Sequence, residues 1–458
     1  MKEIKTIAKH ASSVLVGQLA VMAYGVADTV IAGRYSDAAL ASLSVGSAIY
    51  ISVFVGLLGI VMALLPIWAE MRGASRFEDM GKSLRQSLYL CVLITIAGMT
   101  ALLFPGPLLR WAQVPVLMLG EVESYLQVLA FAFAPALLFR VYSSFNQALG
   151  KPLLVTWLQV GALGLKIPLS IWLVGGGAGI EPMGAVGCAW ATLIVSYTLL
   201  ALGLVMLRTQ KLYIPFRIWR PMEKPDWRQI GEFARLGIPG GLAYMVEITS
   251  FTLMALFIAR LGTTASASHQ IAASVGAILY MVPLSMAIAC SARVSFWLGA
   301  GDADKAKRIV ITSLQATMLI SLLLAATLFA SRQTIAALYS TSPDIVRMGA
   351  TLLAWVALFH LADATQALCS FLLRCYRITL KPLALYGVLL WGMGLYGGYL
   401  MAYKGLFGQP ATQAAVSFWV TSAAALAVVA VCFLLLLWRA VALSMKTQSS
   451  AAVASAAG

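Results

Sequence analysis

The sequence predicts an all-α polytopic membrane protein of twelve transmembrane helices, arranged as two six-helix bundles around a central cavity. Three observations carry this. Of the 458 residues, 61% are hydrophobic and only 11% are Asp, Glu, Lys or Arg, against about 45–50% apolar and about 25% charged in ordinary soluble proteins. A mean hydropathy of +0.89 over this length exceeds what a soluble core can bury. Apolar stretches near the bilayer-crossing length of about 20 residues recur twelve times, and the second six carry echoes of the first. Twelve such spans leave loops of about 15 residues, with no room for a soluble catalytic domain of about 100 residues.

The first six stretches fall at 11–33, 43–68, 86–104, 124–147, 153–175 and 184–207. They are separated by charged or Gly/Pro-rich breaks such as Pro105-Gly106-Pro107 and Gly150-Lys151-Pro152. A polar interval follows, and six more fall at 236–259, 268–297, 309–330, 346–373, 382–403 and 412–438. The expected organisation is a six-helix lobe over 1–207, a cytoplasmic linker over 208–231, a second six-helix lobe over 232–445 and a cytoplasmic tail over 446–458. The linker contains PFRIWRPMEKPDWRQ, whose Pro, Trp and cations suit a segment lying on the inner leaflet, or equally an ordinary solvated loop. No cleavable signal peptide is expected, since the apolar run after MKEIKTIAKH is too long for a signal core.

Loop charge orients the spans. Lys and Arg crowd the N-terminus, the even-numbered loops and the C-terminus, including six cations between Arg208 and Arg228 and the loop cations Arg374, Arg377 and Lys381. The opposite side holds only Arg34, Arg110, Arg260, Arg332, Arg347 and Lys404. Cytoplasmic loops are the basic ones, so both termini are expected inside a bacterial-type inner (plasma) membrane. The net charge of +15 is therefore topology, and no nucleic-acid partner is expected. The six cysteines are scattered in apolar runs and read as packing residues.

VGSAIY at 45–50 matches VGAILY at 275–280, Lys151-Pro152-Leu153 matches Lys381-Pro382-Leu383, and GAVG at 184–187 faces AAVS at 414–417. All three pairs share an offset of 230, which implies a duplicated six-helix unit. Both halves start on the same side, so the repeat is parallel.

Ionisable residues at membrane depth are costly and mark function by default. Three acids lie well inside spans: Asp28 in the first, Glu247 in the seventh and Asp363 in the tenth. Lys166 in the fifth and Arg140 in the fourth are the basic counterparts. Glu247 and Asp363 share the C-terminal half, where the sequence offers no cation from mid-span seven to twelve, so they require a proton, a metal cation or a cationic substrate. Phe251 lies four residues after Glu247, and Phe359 four before Asp363, so each ring shares its acid's face. A carboxylate beside an aromatic ring suits a cation, although Phe also packs. Tyr280 offers a hydroxyl, or packs likewise. His360, three residues before Asp363, either modulates its proton affinity or packs. Lys166 and Asp28 are expected to pair inside the N-terminal lobe, either as a fixed ion pair or as a latch that answers to proton or substrate. Gly81-Lys82-Ser83 lacks the glycine and the strand of a phosphate loop. Neither the three histidines nor any Ser or Cys forms a catalytic constellation, so no enzyme and no cofactor is expected.

The segments VADTVIAG (26–33), MVEITSF (245–251), HQIAAS (269–274), AILYMVPLS (277–285) and LADATQ (361–366) with LRCYRITLKP (373–382), taken in order, resemble the multidrug and toxic compound extrusion (MATE) family, in its NorM-like branch. The resemblance covers nearly the whole chain. It implies a two-lobed exporter that exchanges Na⁺ or H⁺ for cationic amphipathic compounds by alternating access. Glu247, Asp363, Phe251, Phe359 and Tyr280 are implied at the cation site, with Glu247 and Asp363 as Na⁺ ligands if the protein is sodium-coupled. Gln270, Tyr280 and His360 would line the substrate cavity. Asp28, Lys166 and Ser170 would form an N-lobe proton or substrate site, with Lys166 and Ser170 standing where many relatives carry Asn. The implied partners are the small-molecule substrate and membrane lipid, and the implied state is a monomer. The rival reading is a lipid or polysaccharide flippase of related architecture, which needs a lipid-facing groove lined by basic residues. A channel is a third reading, and its flux would show neither saturation nor exchange.

Overall fold

The structure is a computed structural model that describes residues 2–111, 115–177, 179–405 and 408–457. Twelve helical spans among them are long and apolar enough to cross a membrane. In chain order the helices are α1 (Lys2–Tyr35), α2 (Asp37–Met62), α3 (Leu64–Gly73), α4 (Phe77–Leu103), α5 (Gly106–Trp111), α6 (Val116–Ala148), α7 (Pro152–Gly175) and α8 (Ala185–Thr209). They continue as α9 (Trp227–Ala259), α10 (Thr263–Gly299), α11 (Ala303–Tyr339), α12 (Pro343–Cys375), α13 (Leu380–Tyr386), α14 (Gly397–Tyr403) and α15 (Val416–Ala457). α2 and α3 together make the second span, and α13, a π-helical stretch Gly387–Tyr396 and α14 make the eleventh. The helices run past the apolar stretches into the expected loops. α9 begins at Trp227, inside the segment read as linker, and α15 continues through the segment read as a tail.

Chain contacts divide the molecule into two compact units, Ser12–Gly241 and Leu242–Gly458, with Met1–Ala11 grouped in the latter. In the first unit α6 is the hub, packing on α2, α3, α4 and α8. In the second, α12 holds the same place against α10, α11 and α15. α6 and α12 are repeat counterparts, so the duplication read from short motifs is present in the packing itself. Pro152 opens α7 and Pro382 sits in the first turn of α13, where a missing N–H costs nothing.

Two close approaches set the geometry of the first unit. Gly187 on α8 lies against the α7 backbone, where a Cβ would sit 2.6 Å from the Leu173 carbonyl carbon. Gly81 on α4 lies beneath the short 3₁₀ turn Lys211–Phe216, where a Cβ would collide with the Phe216 carbonyl. The glycine of the dismissed phosphate-loop lookalike thus seats the linker. Arg85 completes that seat, donating to both carboxylate oxygens of Glu223 and, at 2.8 Å, to the Arg217 carbonyl. The same guanidinium holds the Glu223 carboxyl down at about 2.

Candidate functional site

Each unit holds an ionisable cluster, and helical spacing builds both. In the first unit, Lys166 and Ser170 are one turn apart on α7, and Cys188 and Thr192 one turn apart on α8, so two i,i+4 pairs face Asp28 on α1. Lys166 Nζ lies 2.9 Å from Asp28 Oδ2. It also donates to the Cys188 carbonyl at 2.9 Å and to Thr192 Oγ1 at 2.8 Å. Ser170 donates to Asp28 Oδ1 at 2.9 Å. The three donors of the ammonium and both carboxylate oxygens therefore all have partners, with Lys166 only 1% and Asp28 7% exposed. Further hydrogen bonds tie α7 to α1 nearby: Tyr24 Oη donates to the Gln159 carbonyl at 2.6 Å and Thr156 Oγ1 to the Ser13 carbonyl at 2.8 Å. Arg140 lies half-buried on α6.

In the second unit, α9 presents Tyr244, Glu247 and Phe251 on one face, and α12 presents Phe359, Asp363 and Gln366. The Phe251 and Phe359 rings meet edge to face with centroids 5.8 Å apart, and both abut Trp419 of α15. Glu247 stands between two small clefts. One, of about 20 Å³ water-accessible volume, is lined by Glu247, Phe251, Met254, Phe359 and Ser422 among others. The other, of about 10 Å³, is lined by Glu247, Tyr244, Tyr280, Gln366, Arg374 and Tyr386. Such volumes admit about one water-sized occupant, which suits a desolvated cation and excludes a drug-sized molecule. Asp363, 5% exposed, interacts electrostatically with Glu247 and accepts from Gln366 Nε2 at 2.9 Å. Among the described residues Gln366 Oε1 is buried without a hydrogen-bond partner, a neutral oxygen left over beside two carboxylates. No three His, Cys, Asp or Glu side chains gather as a metal site among the described residues, so any Na⁺ here would draw on Glu247, Asp363 and neutral oxygens such as Gln366 Oε1.

The structure thus gathers Glu247, Phe251, Phe359, Asp363 and Tyr280 in one region. His360 is buried nearby on α12, with Nε2 lacking a partner among the described residues. Gln270 is exposed, ten residues and about 15 Å along α10 from Tyr280, and lines neither cleft. One expectation is corrected. The C-terminal half does contain cations within its spans. Arg293 on α10 is engaged by Glu3, at 2.5 Å. Arg374, read from sequence as a loop cation, is buried in the last turn of α12 and lines the Glu247 cleft. Arg374, Gln366, Trp419, Tyr244 and Tyr386 escaped the sequence reading. The spacing of Gln366, three residues past Asp363 on the same face, was the one available signal.

Twelve spans with a buried ionisable cluster in each of two repeated units define a multi-pass membrane transporter. The MatE family profile matches residues 14–172 and 239–400, and the chain belongs to that family. A probable multidrug resistance protein NorM of Aromatoleum aromaticum is 35% identical over 424 residues, covering 93% of this chain and 91% of that one. The multidrug resistance protein PmpM of Pseudomonas aeruginosa is 31% identical, with 89% and 86% covered. Among solved structures, a eukaryotic MATE transporter superposes with a TM-score of 0.84 at 19% identity, covering 98% of this chain and 99% of that one. An outward-facing multidrug resistance MATE family transporter gives 0.87 at 17% identity, with 97% of each chain covered. The solved structures speak to the fold.

Proposed function

We propose that the protein is a secondary active multidrug exporter of the bacterial inner membrane, with both termini cytoplasmic, which antiports cationic amphipathic compounds in exchange for Na⁺ or H⁺. The observation that carries this is the asymmetry between the two ionisable clusters. Asp28 is ion-paired directly to Lys166, whereas Glu247, with the Asp363 carboxylate in electrostatic reach, stands between two small aromatic-walled clefts sized for a small cation. Coupling is therefore assigned to the second unit. Cation binding at Glu247 and Asp363 favours a state with low drug affinity, and drug leaves outward; the reciprocal effect of drug on cation affinity follows by linkage. The names of the relatives, multidrug resistance proteins, support the drug-export part. The flippase reading loses its basic-groove argument at Lys166, whose donors are all committed inside the protein.

The test is efflux of a cationic dye from proteoliposomes under separately imposed Na⁺ and pH gradients. Glu247→Gln and Asp363→Asn are each expected to abolish coupled export at parental expression, since an amide keeps the volume and loses the charge and the titratable proton. Parental export by either variant refutes the site. Gradient-driven movement of a lipid-linked sugar, with no dye efflux, would establish the flippase instead.

A further inference from the structure

Arg374 occupies the last turn of α12, where a long cationic side chain ordinarily extends its head toward the membrane surface. It does the opposite. Arg374 is only 5% exposed, and its guanidinium carbon lies 4.7 Å from the Phe371 ring centroid and 5.4 Å from that of Tyr244. Among the described residues its Nη1 is buried with no hydrogen-bond partner, which costs free energy that a nearby acceptor would recover. That acceptor lines the same cleft. Glu247 stands three residues beyond Tyr244 on α9, about 4.5 Å further along the axis, a distance a guanidinium covers by rotating about its side-chain bonds.

We propose that Arg374 is the resident counter-ion of the coupling site. Its guanidinium moves onto Glu247 when the coupling cation leaves, and returns to the Tyr244 face when a cation binds. This rests on Glu247 carrying the coupling cation. The cleft has room for about one water-sized occupant, so guanidinium and cation exclude each other at Glu247. The titratable groups facing this region are Tyr244 and Glu247 from α9, Tyr280 from α10, His360 and Asp363 from α12 and Tyr386 from α13. Among the described residues that line the cleft, Arg374 is the one permanent cation. An internal competitor lowers apparent cation affinity by the fraction of time it holds the site. It also prevents a bare pair of carboxylates from trapping the cation, so release remains fast and exchange can continue.

The experiment measures the half-saturating concentration of the driving cation for ethidium efflux from proteoliposomes. One series uses an Na⁺ gradient at fixed pH and the other a pH gradient in Na⁺-free buffer. Arg374→Met and Arg374→Gln are expected to lower the half-saturating concentration at least about fivefold while slowing maximal efflux; Arg374→Lys should stay near the parent. A residue that only packs changes the amount of folded protein and leaves half-saturation unmoved, and that result overturns the proposal. If neither neutral variant accumulates, Glu247→Gln combined with Arg374→Met should restore accumulation, because position 247 then carries no charge that needs the guanidinium; failure of that rescue overturns it equally. Glu247→Gln alone distinguishes the layers. Parental coupling in it defeats the proposed function, whereas lost coupling in it with unmoved half-saturation in Arg374→Met defeats only the role of Arg374.

Discussion

Lys166→Met removes the ammonium at the centre of the N-terminal cluster while keeping most of its apolar stem. At 2.9 Å from Asp28 and an effective dielectric near 20, the gross attraction is about 6 kcal/mol. Most of it offsets the desolvation of two ions, so the measurable quantity is the cost of stranding one partner, about 3–5 kcal/mol. Lys166→Met leaves Asp28 with only the Ser170 hydroxyl, and the upper end of that range is expected. Asp28→Asn leaves the ammonium with the Cys188 carbonyl and Thr192 hydroxyl, and the lower end is expected. The double variant should cost about 2–4 kcal/mol less than the two singles summed, because neither ion is then stranded. SDS titration in mixed micelles supplies the unfolding free energies, and thermal melting supplies an independent ranking. Once Lys166 is gone, Asp28 is open to an external cation, so Na⁺ should raise the melting temperature of Lys166→Met by more than it raises that of the parent. Additivity of the two singles within about 0.5 kcal/mol would refute the reasoning, since a pair with that geometry and burial would then contribute nothing.

Phe251→Leu keeps apolar bulk and loses the ring face; if a cation rests there, its half-saturating concentration should rise about fivefold, the equivalent of about 1 kcal/mol, and unchanged coupling leaves Phe251 a packing residue against Phe359 and Trp419. Gly187→Ala forces a methyl against the α7 backbone and should cost about 1–3 kcal/mol, read as a lower melting temperature. The Glu223 carboxyl is held at about 2 by Arg85, so its contribution is complete above about 4.5 and lost as pH falls toward 2. Hydrogen exchange over Ile218–Asp226, corrected for intrinsic rates, should therefore stay flat from pH 7 to 5 and quicken only below about 4.5, whereas Arg85→Gln should exchange faster throughout.

Span number, span order and the internal repeat were legible because hydrophobic runs and loop charge are local properties of the chain. Helix ends were less so: Trp227–Ile230 is polar enough to read as loop, yet continues α9. The acids were legible for the same reason they are costly: a carboxylate in an apolar run stands out. Their neutral company was not. Gln366 carries only its spacing from Asp363, and Trp419 is unremarkable in sequence and becomes relevant only when α15 packs on α12. Arg374 was hidden by a rule that usually serves well, that a cation at the end of a span belongs to the loop. Only the packing of Phe371 and Tyr244 around its guanidinium reverses that assignment. The pairing of Lys166 with Asp28 could be argued from cost alone, but the part played by Cys188 and Thr192 could not, since a backbone carbonyl leaves no mark in the sequence.

The π-helical stretch Gly387–Tyr396 bears on how the chain is made as well as on how it packs. Its wide turns and three glycines belong to the least apolar of the twelve spans, and the span after it is the most apolar. Gly398 lets α15 approach closely, since a Cβ there would sit 2.7 Å from the Phe418 ring, and Thr421 donates to the Gly394 carbonyl at 2.8 Å. During synthesis the less apolar of the two segments leaves the ribosome first. Its stable residence in the bilayer therefore waits for the more apolar one to arrive and cover its glycine face. Membrane insertion of the eleventh span is in this sense post-dated.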